Sequence, residues 1–389
     1  MNILFRLMMV SIMVISVGRS SYAQGEAAVP FLLLAPDSRA GGIGESGTGL
    51  ADNSAAIFWN PAGIAFQTGT ELSITHSNWL PQFQLDLFYD YLTYRQYIED
   101  LSGSITASIT YMNFGEFVRT GADSPEPLGT FRSFDAALTL GYATKIADDW
   151  GLGFNARLIH SRLSDQPTEQ EQGTGVATSV SFDIGMMWRP SSLELPLLGD
   201  IGDKFSIGFN LSNLGPKIYY IDQAQADPIP TNFRLGFGFN FFKDEYNSLI
   251  GTLDFSKLLV SRHTEVVNGD TTNVSDDFYE AIFTAWGDQP MSEELRDIVT
   301  SGGLEYWYGN MNEGFMFALR VGYFYEDPSY GNRKFMTFGA GIRYDIYGFD
   351  FSYISAAEDN HPLSDTLRFS VIIGWGGVAD NTRGLPRGI

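Results

Sequence analysis

The chain has 389 residues, no cysteine, and 46 acidic against 24 basic side chains, a formal charge of −22. Without cysteine there are neither disulfides nor thiolate metal sites, and the surplus of acids argues against nucleic acid as a partner, because that binding rests on Lys and Arg neutralising phosphates. Glycine (42), phenylalanine (30) and tyrosine (19) are abundant while mean hydropathy is −0.07, as in a membrane barrel where only alternate positions are apolar.

The first segment, residues 1–23, places Arg6 before an apolar run from Leu7 to Val17 and small residues at Ser21-Tyr22-Ala23. It reads as a secretory signal removed after Ala23. Its apolar run is shorter than the about 20 residues a membrane helix needs, and no later stretch qualifies. Removing it takes Arg6 and Arg19 and no acid, so −22 becomes −24 in the mature chain. The remaining 366 residues (389 minus 23) contain no linker and no break in composition, which predicts one large unit.

Residues 24–69 form the next segment. Gly41, Gly42, Gly44, Gly47 and Gly49 fall within nine residues, too much backbone freedom for the interior of a helix or strand. The turn Trp59-Asn60-Pro61-Ala62-Gly63 follows, with Pro61 fixing φ and Asn60 pushed toward an extended conformation. Such a segment must be held by its surroundings, and it suits a hatch packed inside a barrel.

From Thr70 the chain alternates apolar and polar residues at period two in segments of about ten. Fourteen strands are predicted, over 70–77, 83–95, 103–115, 131–145, 150–162, 175–189, 203–213, 231–242, 247–259, 302–309, 314–326, 334–346, 348–356 and 365–376. An antiparallel membrane β-barrel spanning 70–376 is the fold expected. Phe233, Phe237 and Phe241 would face lipid and Arg234 the lumen. The same alternation turns Asp183 and Arg368 inward, since a midplane Arg against lipid costs on the order of 2 to 4 kcal/mol.

If the hatch starts in the periplasm, the connections after even strands are periplasmic, and they are mostly short: 147–149, 243–246, 310–313 and Tyr347. The other set is long, 116–130, 163–174, 216–230 and 260–301, the asymmetry expected of an outer-membrane barrel. The connection 190–202 is longer than this scheme requires. The longest loop, 261–301, carries Phe278, Ile282, Ala285 and Trp286, then Leu295, Ile298 and Val299, at helical spacing after Ser275 and Pro290. Two amphipathic helices outside the membrane are expected, covering the barrel mouth or another protein. Residues 377–389 read as a periplasmic tail.

The turn Asn60-Pro61-Ala62-Gly63 after a small-residue run resembles the N-terminal hatch of the FadL-type outer-membrane transporters. The fuller string FLLLAPDSRAGG, with Asn53-Ser54 leading into Phe58-Trp59-Asn60-Pro61-Ala62, resembles the PorV family, the outer-membrane component of the type IX secretion system. The FadL-type resemblance implies fourteen strands. The PorV resemblance implies a non-enzymatic role in protein export. Such a protein would meet cargo proteins carrying a C-terminal signal domain as they leave the type IX translocon, and deliver them to a cell-surface sortase and attachment complex. The alternative, implied by the broader family, is an uptake channel for long-chain fatty acids or other hydrophobic molecules, gated by the hatch. For the export role, Phe278, Ile282, Trp286 and Leu295 are the expected partner-binding residues, on loop length and apolar spacing. Gly41, Gly42, Gly44, Trp59, Asn60 and Pro61 are the expected hatch residues. Lipopolysaccharide and outer-membrane lipid would surround the barrel.

Other chemistry has weaker support. Gly42-Ile43-Gly44-Glu45-Ser46-Gly47 matches a dinucleotide fingerprint but lacks the strand–helix setting such a site needs, so tight turns in a plug are expected. His76, His160, His263 and His361 all fall on the predicted outer side, where Ser77 or Ser161 with a histidine base would make a lipid hydrolase; no nucleophile elbow supports one. The acids of 261–300 suggest calcium, yet EF-hand spacing is missing and a solvated face is the simpler reading. Neither cofactor nor metal is expected. Tyr306-Trp307-Tyr308, Tyr323-Phe324-Tyr325 and Tyr344 to Tyr347 read as interfacial girdles.

Overall fold

A computed structural model describes residues 27–120, 126–164, 173–197, 199–267, 270–310, 314–356 and 361–376. The expected signal at 1–23 and tail at 377–389 lie outside the described residues. Eighteen strands are found among them, β1 (Thr70–Asn78), β2 (Phe88–Ile98), β3 (Gly103–Thr120), β4 (Pro127–Ala147), β5 (Trp150–Arg162), β6 (Val176–Trp188), β7 (Glu194–Leu195), β8 (Gly199–Asp200), β9 (Phe205–Leu214), β10 (Asn232–Lys243), β11 (Asn247–Leu258), β12 (Arg262–Val267), β13 (Asp270–Ser275), β14 (Val299–Asn310), β15 (Phe315–Tyr325), β16 (Lys334–Tyr344), β17 (Tyr347–Ala356) and β18 (Leu367–Trp375). Fourteen of these close a barrel, each antiparallel to its neighbours, with Thr70 of β1 opposite Trp375 of β18 at the seam. Closure leaves no sheet edge within the membrane, where an unpaired backbone group has no water to bond.

The wall follows the expected alternation. Arg234, Asp183 and Arg368 are buried toward the lumen, while Phe182, Phe241, Phe369 and Val371 are exposed on the outer wall. Tyr306 and Tyr308 face outward, but Trp307 between them points inward and is 4% exposed, over the guanidiniums of Arg320 and Arg343 at 5.3 and 5.1 Å. Phe324 likewise turns inward and stacks on Phe335 at 4.8 Å. The girdle reading therefore fails for the middle residue of each triplet, since period two sends neighbours to opposite faces.

Some boundaries move. Strand β2 starts at Phe88, not 83, because Pro81–Phe83 forms a 3₁₀ turn flanked by left-handed Leu80 and Gln84. The expected loop 116–130 is in part strand: β3 runs to Thr120 and β4 begins at Pro127. In the long connection 190–202 β7 pairs with β8, and in the longest loop β12 pairs with β13. Val299 opens β14 instead of continuing a helix.

Residues 28–69 lie within the barrel. Ala28 donates to the Pro228 carbonyl at the long-loop rim, while Gly69 accepts from Tyr97 at the short-turn rim, where β1 begins. The first described residues thus sit at the long-loop rim, not in the periplasm. The loop parity survives because it depends on where the segment ends. Two short helices, α1 (Ser38–Gly42) and α2 (Ala56–Trp59), shape this hatch. Asp37 caps α1 by accepting from the Ala40 N–H at 3.0 Å, and its other oxygen accepts from the Trp59 indole at 2.7 Å.

Candidate functional site

Two regions concentrate chemistry: the contact between hatch and wall, and the long-loop rim.

Arg39 projects from α1 and is 5% exposed. It pairs with Asp52 of the hatch at 2.5 Å and Glu305 of β14 at 2.6 Å. Glu305 also takes Arg320 at 2.6 Å, Arg320 pairs with Asp350 at 2.9 Å, and Asp350 pairs with Arg343 at 2.7 Å. Three guanidiniums and three carboxylates alternate along one chain, so the buried charges sum to zero. Such an arrangement is costly to assemble but costs more to break, since removing one member strands its partner in low dielectric.

The rest of the hatch is tied around the circumference. Glu45 pairs with Arg368 at 2.5 Å. Asp254 accepts the N–H groups of Gly47 and Thr48 at 2.9 and 2.8 Å, and Glu71 accepts that of Ser54 at 2.6 Å. Asn155 and Asn210 donate to the Ile57 and Trp59 carbonyls at 2.7 and 3.1 Å. Ser370 meets Ser38 at 2.8 Å. Polar wall side chains thereby satisfy the backbone groups an irregular segment leaves free.

Of the expected hatch residues, Gly41, Gly42, Trp59, Asn60 and Pro61 are all buried. Asn60 caps the 3₁₀ turn Pro61–Phe66 through the Ala62 N–H at 3.1 Å and donates to the Met186 carbonyl at 3.1 Å. Gly44 has φ +82° and lies so near β14 that an added Cβ would stand 2.4 Å from the Gly302 carbonyl oxygen. The fingerprint-like string is therefore a close backbone approach between plug and wall.

Between the hatch and the long-loop rim a cavity of about 60 Å³ remains, lined by Trp59, Arg234, Asp254, Leu258 and Phe324 among others. That is room for a few waters, since each needs roughly 10 to 15 Å³ by this measure. Arg234 lies over the Phe58 ring at 4.6 Å and the Trp59 ring at 5.3 Å.

The outer helices, α3 (Phe278–Thr284) and α4 (Met291–Arg296), lie against the outside of the wall. Lys257 is opposite Phe233 in register and so points outward, yet it is 3% exposed. Glu294 at 3.0 Å and Asp297 at 2.5 Å cover it, with the Trp286 ring 5.8 Å away. Trp286 packs edge-on against Phe233 at 5.4 Å. Arg296 ties α4 to the β15–β16 loop through Asp327 at 3.0 Å. Burial pushes the Asp297 carboxyl up despite Lys257. The Asp276 carboxyl is held below its usual value, because its bonds to Thr284 and His263 outweigh burial.

Phe278 and Ile282 are half-buried, while Trp286 is 41% and Leu295 63% exposed. The face turned to the wall centres on Ala281 and Ala285. A second stripe, Tyr279, Phe283 (76% exposed) and Trp286, was missed by the sequence reading, as was Met291. Its i, i+4, i+7 spacing is visible in the sequence, but it shares Trp286 with the stripe chosen there.

The hydrolase candidates separate. Ser77 and Ser161 are buried toward the lumen, whereas His76 and His160 face outward, bonded to Asp90 at 2.7 Å and Thr178 at 3.0 Å. Adjacent strand residues point to opposite faces, so neither pair can share a proton. In the acidic loop, Asp276 is engaged by His263, Asp277 by Lys217, Glu293 by Arg296, and Glu294 and Asp297 by Lys257. Among the described residues no group of three potential metal ligands converges.

Comparison with known proteins adds the following. The sequence model of the family described as "Type IX secretion system protein PorV" matches residues 22–265. No curated protein matches the chain. Among solved structures, the TodX deltaS2S3 mutant monoaromatic hydrocarbon channel is similar over 87% of this chain and 97% of its own, with 10% identity and a TM-score of 0.51. A Pseudomonas aeruginosa FadL homologue aligns over 87% and 98%, with 12% identity and a TM-score of 0.48. At such identity the TodX likeness speaks to the fold alone.

Proposed function

The chain belongs to the type IX secretion system PorV family, and from that premise we propose that it acts as a docking component, with its lumen shut and its long-loop rim presented to protein partners. It is a multi-pass outer-membrane β-barrel of a secretion family. In the proposed reading it binds the C-terminal signal domains of cargo proteins leaving the translocon and hands them to the surface sortase and attachment complex, without catalysing a reaction itself. The observation carrying this reading is the buried chain of ion pairs from Asp52 through Arg39 and Glu305 to Arg343, which fastens the hatch to the wall. A fastened hatch leaves the outer surface as the place of work. There Phe278, Ile282, Trp286 and Leu295 are the proposed contacts on α3 and α4, together with the exposed Tyr279, Phe283 and Met291. A channel for hydrophobic molecules would require those pairs to part, and the likeness to channels supports it only at the level of fold.

The test is deletion of the gene in its host, followed by quantitative proteomics of periplasm, surface and medium. Proteins bearing type IX signal domains should accumulate in the periplasm or fail to attach to the surface. An unchanged distribution rejects the docking reading, and uptake of labelled long-chain lipids becomes the assay to run.

A further inference from the structure

Strands β3 and β4, with 18 and 21 residues, outrun their neighbours. On one side β2 stops at Phe88, opposite Asn113; on the other β5 stops at Arg162, opposite Phe134. Beyond those points β3 and β4, among the described residues, pair only with each other, from Gly115 opposite Ser133 to Thr120 opposite Pro127. At about 3.3 Å per residue this ribbon is roughly 20 Å long. A two-stranded ribbon standing alone is marginal in water, and a strand edge offers its backbone N–H and C=O groups to a further strand.

The place where the wall ends is marked by a β-bulge between Asn113 and Gly115, with Gly115 at φ +87°. A bulge bends and twists the strand that carries it. The Asn113 side-chain amide donates to the Asp86 carbonyl at 2.7 Å, so the β1–β2 loop closes over the last wall position, and Glu116, Phe117 and Val118 beyond it are exposed. The ribbon carries apolar side chains on both faces: Phe117 (46% exposed), stacked on Phe131 at 5.7 Å, and on the other face Val118 (58% exposed). Phe83 and Leu85, 53% and 62% exposed, stand in the adjoining loop. A solvated loop tip needs neither an exposed apolar pair nor a strand edge.

We propose that the β3 edge at Glu116–Val118 is a strand-addition site, where an extended segment of an exported partner protein pairs in the line that β2 vacates at Phe88. Backbone hydrogen bonds supply the affinity, and the apolar side chains of Phe117 on one face and Val118 on the other select apolar residues at two adjacent positions of the incoming strand. This rests on the docking reading above and names the manner of docking at a site separate from α3 and α4.

The test places a photo-crosslinking amino acid at Glu116, exposed beside Val118 on the same strand, in the protein in its host, alone and combined with each substitution below, with mass-spectrometric mapping of the products. The expected result is crosslinks to one contiguous segment of an exported protein. Neighbouring N–H groups alternate between the two edges, so Phe117→Pro and Val118→Pro should differ. One removes a donor from the free edge and lowers capture at least tenfold, while Val118→Thr, which keeps strand geometry, retains capture. Heat-modifiable migration on gels reports that each variant's barrel is folded. Crosslinks to lipopolysaccharide alone, or capture equal in both folded proline variants, would overturn the inference. If gene deletion impairs export while the crosslinker at Glu116 captures no protein, the edge is wrong and the docking reading stands; if deletion leaves export unchanged, the docking reading itself has failed.

Discussion

The ion-pair chain through Arg39 makes a quantitative prediction. In Arg39→Met, Asp52 loses its guanidinium partner within a site where both side chains are 6% exposed, while Glu305 keeps Arg320. Stranding one member of a buried pair costs about 3 to 5 kcal/mol. At about 1.4 kcal/mol per tenfold, the fraction of molecules with the hatch loosened should rise by roughly two to almost four orders of magnitude. The chain has no cysteine, so a single reporter is clean: Ser54→Cys, at a hatch position 1% exposed. Maleimide labelling of Ser54→Cys in outer-membrane vesicles then tracks the loosened fraction, provided opening and closing outpace the reaction. Adding Arg39→Met should speed labelling at least a hundredfold, and adding Arg39→Lys should speed it less. Labelling within about threefold of Ser54→Cys alone would refute the claim that this network fastens the hatch.

Other perturbations separate close packing from charge. Gly322→Ala builds a Cβ 2.0 Å from the Gly44 nitrogen, whereas Gly287→Ala meets nothing within 4 Å; the first should lower stability in urea by about 1 to 3 kcal/mol and the second leave it unchanged. Lys257→Met leaves Glu294 and Asp297 covered without their cation, and amide exchange across 278–297 should accelerate while the barrel strands keep their protection. The depressed Asp276 carboxyl contributes stability that is fully present above its ordinary 3.8 and lost as pH falls through its lower folded value. Pulsed exchange should therefore find α3 protected at neutral pH and losing protection only below that ordinary value, and a transition near pH 6 would contradict the assignment.

The strands were readable because charge and alternation act together. Arg234, Asp183 and Arg368 each fix the register of an entire segment, since a one-residue slip would put a charge into lipid. Reading aromatic runs as blocks failed at Trp307 and Phe324 for the same reason, as alternation holds within a cluster. The β3–β4 ribbon was read as loop because Gly115, Gly121, Pro125 and Pro127 break the pattern around it, although Phe117 and Val118 carry strand character. The hatch fastening left no local trace: Arg39 and Glu305 lie 266 residues apart, and only closure of the barrel brings them together. The outer helices were visible in outline, but spacing alone did not distinguish the face turned to the wall from the exposed one.

The central claim is that the protein works with its hatch fixed. Ser38 and Ser370 meet at 2.8 Å between hatch and wall, and in a chain without cysteine Ser38→Cys with Ser370→Cys offers a disulfide that locks the two together. The measurement is export of proteins bearing type IX signal domains in a deletion strain carrying this double variant, with the disulfide confirmed by mass spectrometry, before and after reduction. A docking component should export at the wild-type level in both states. Export that falls in the oxidised state and recovers on reduction would show that the hatch must move, and the account would be wrong.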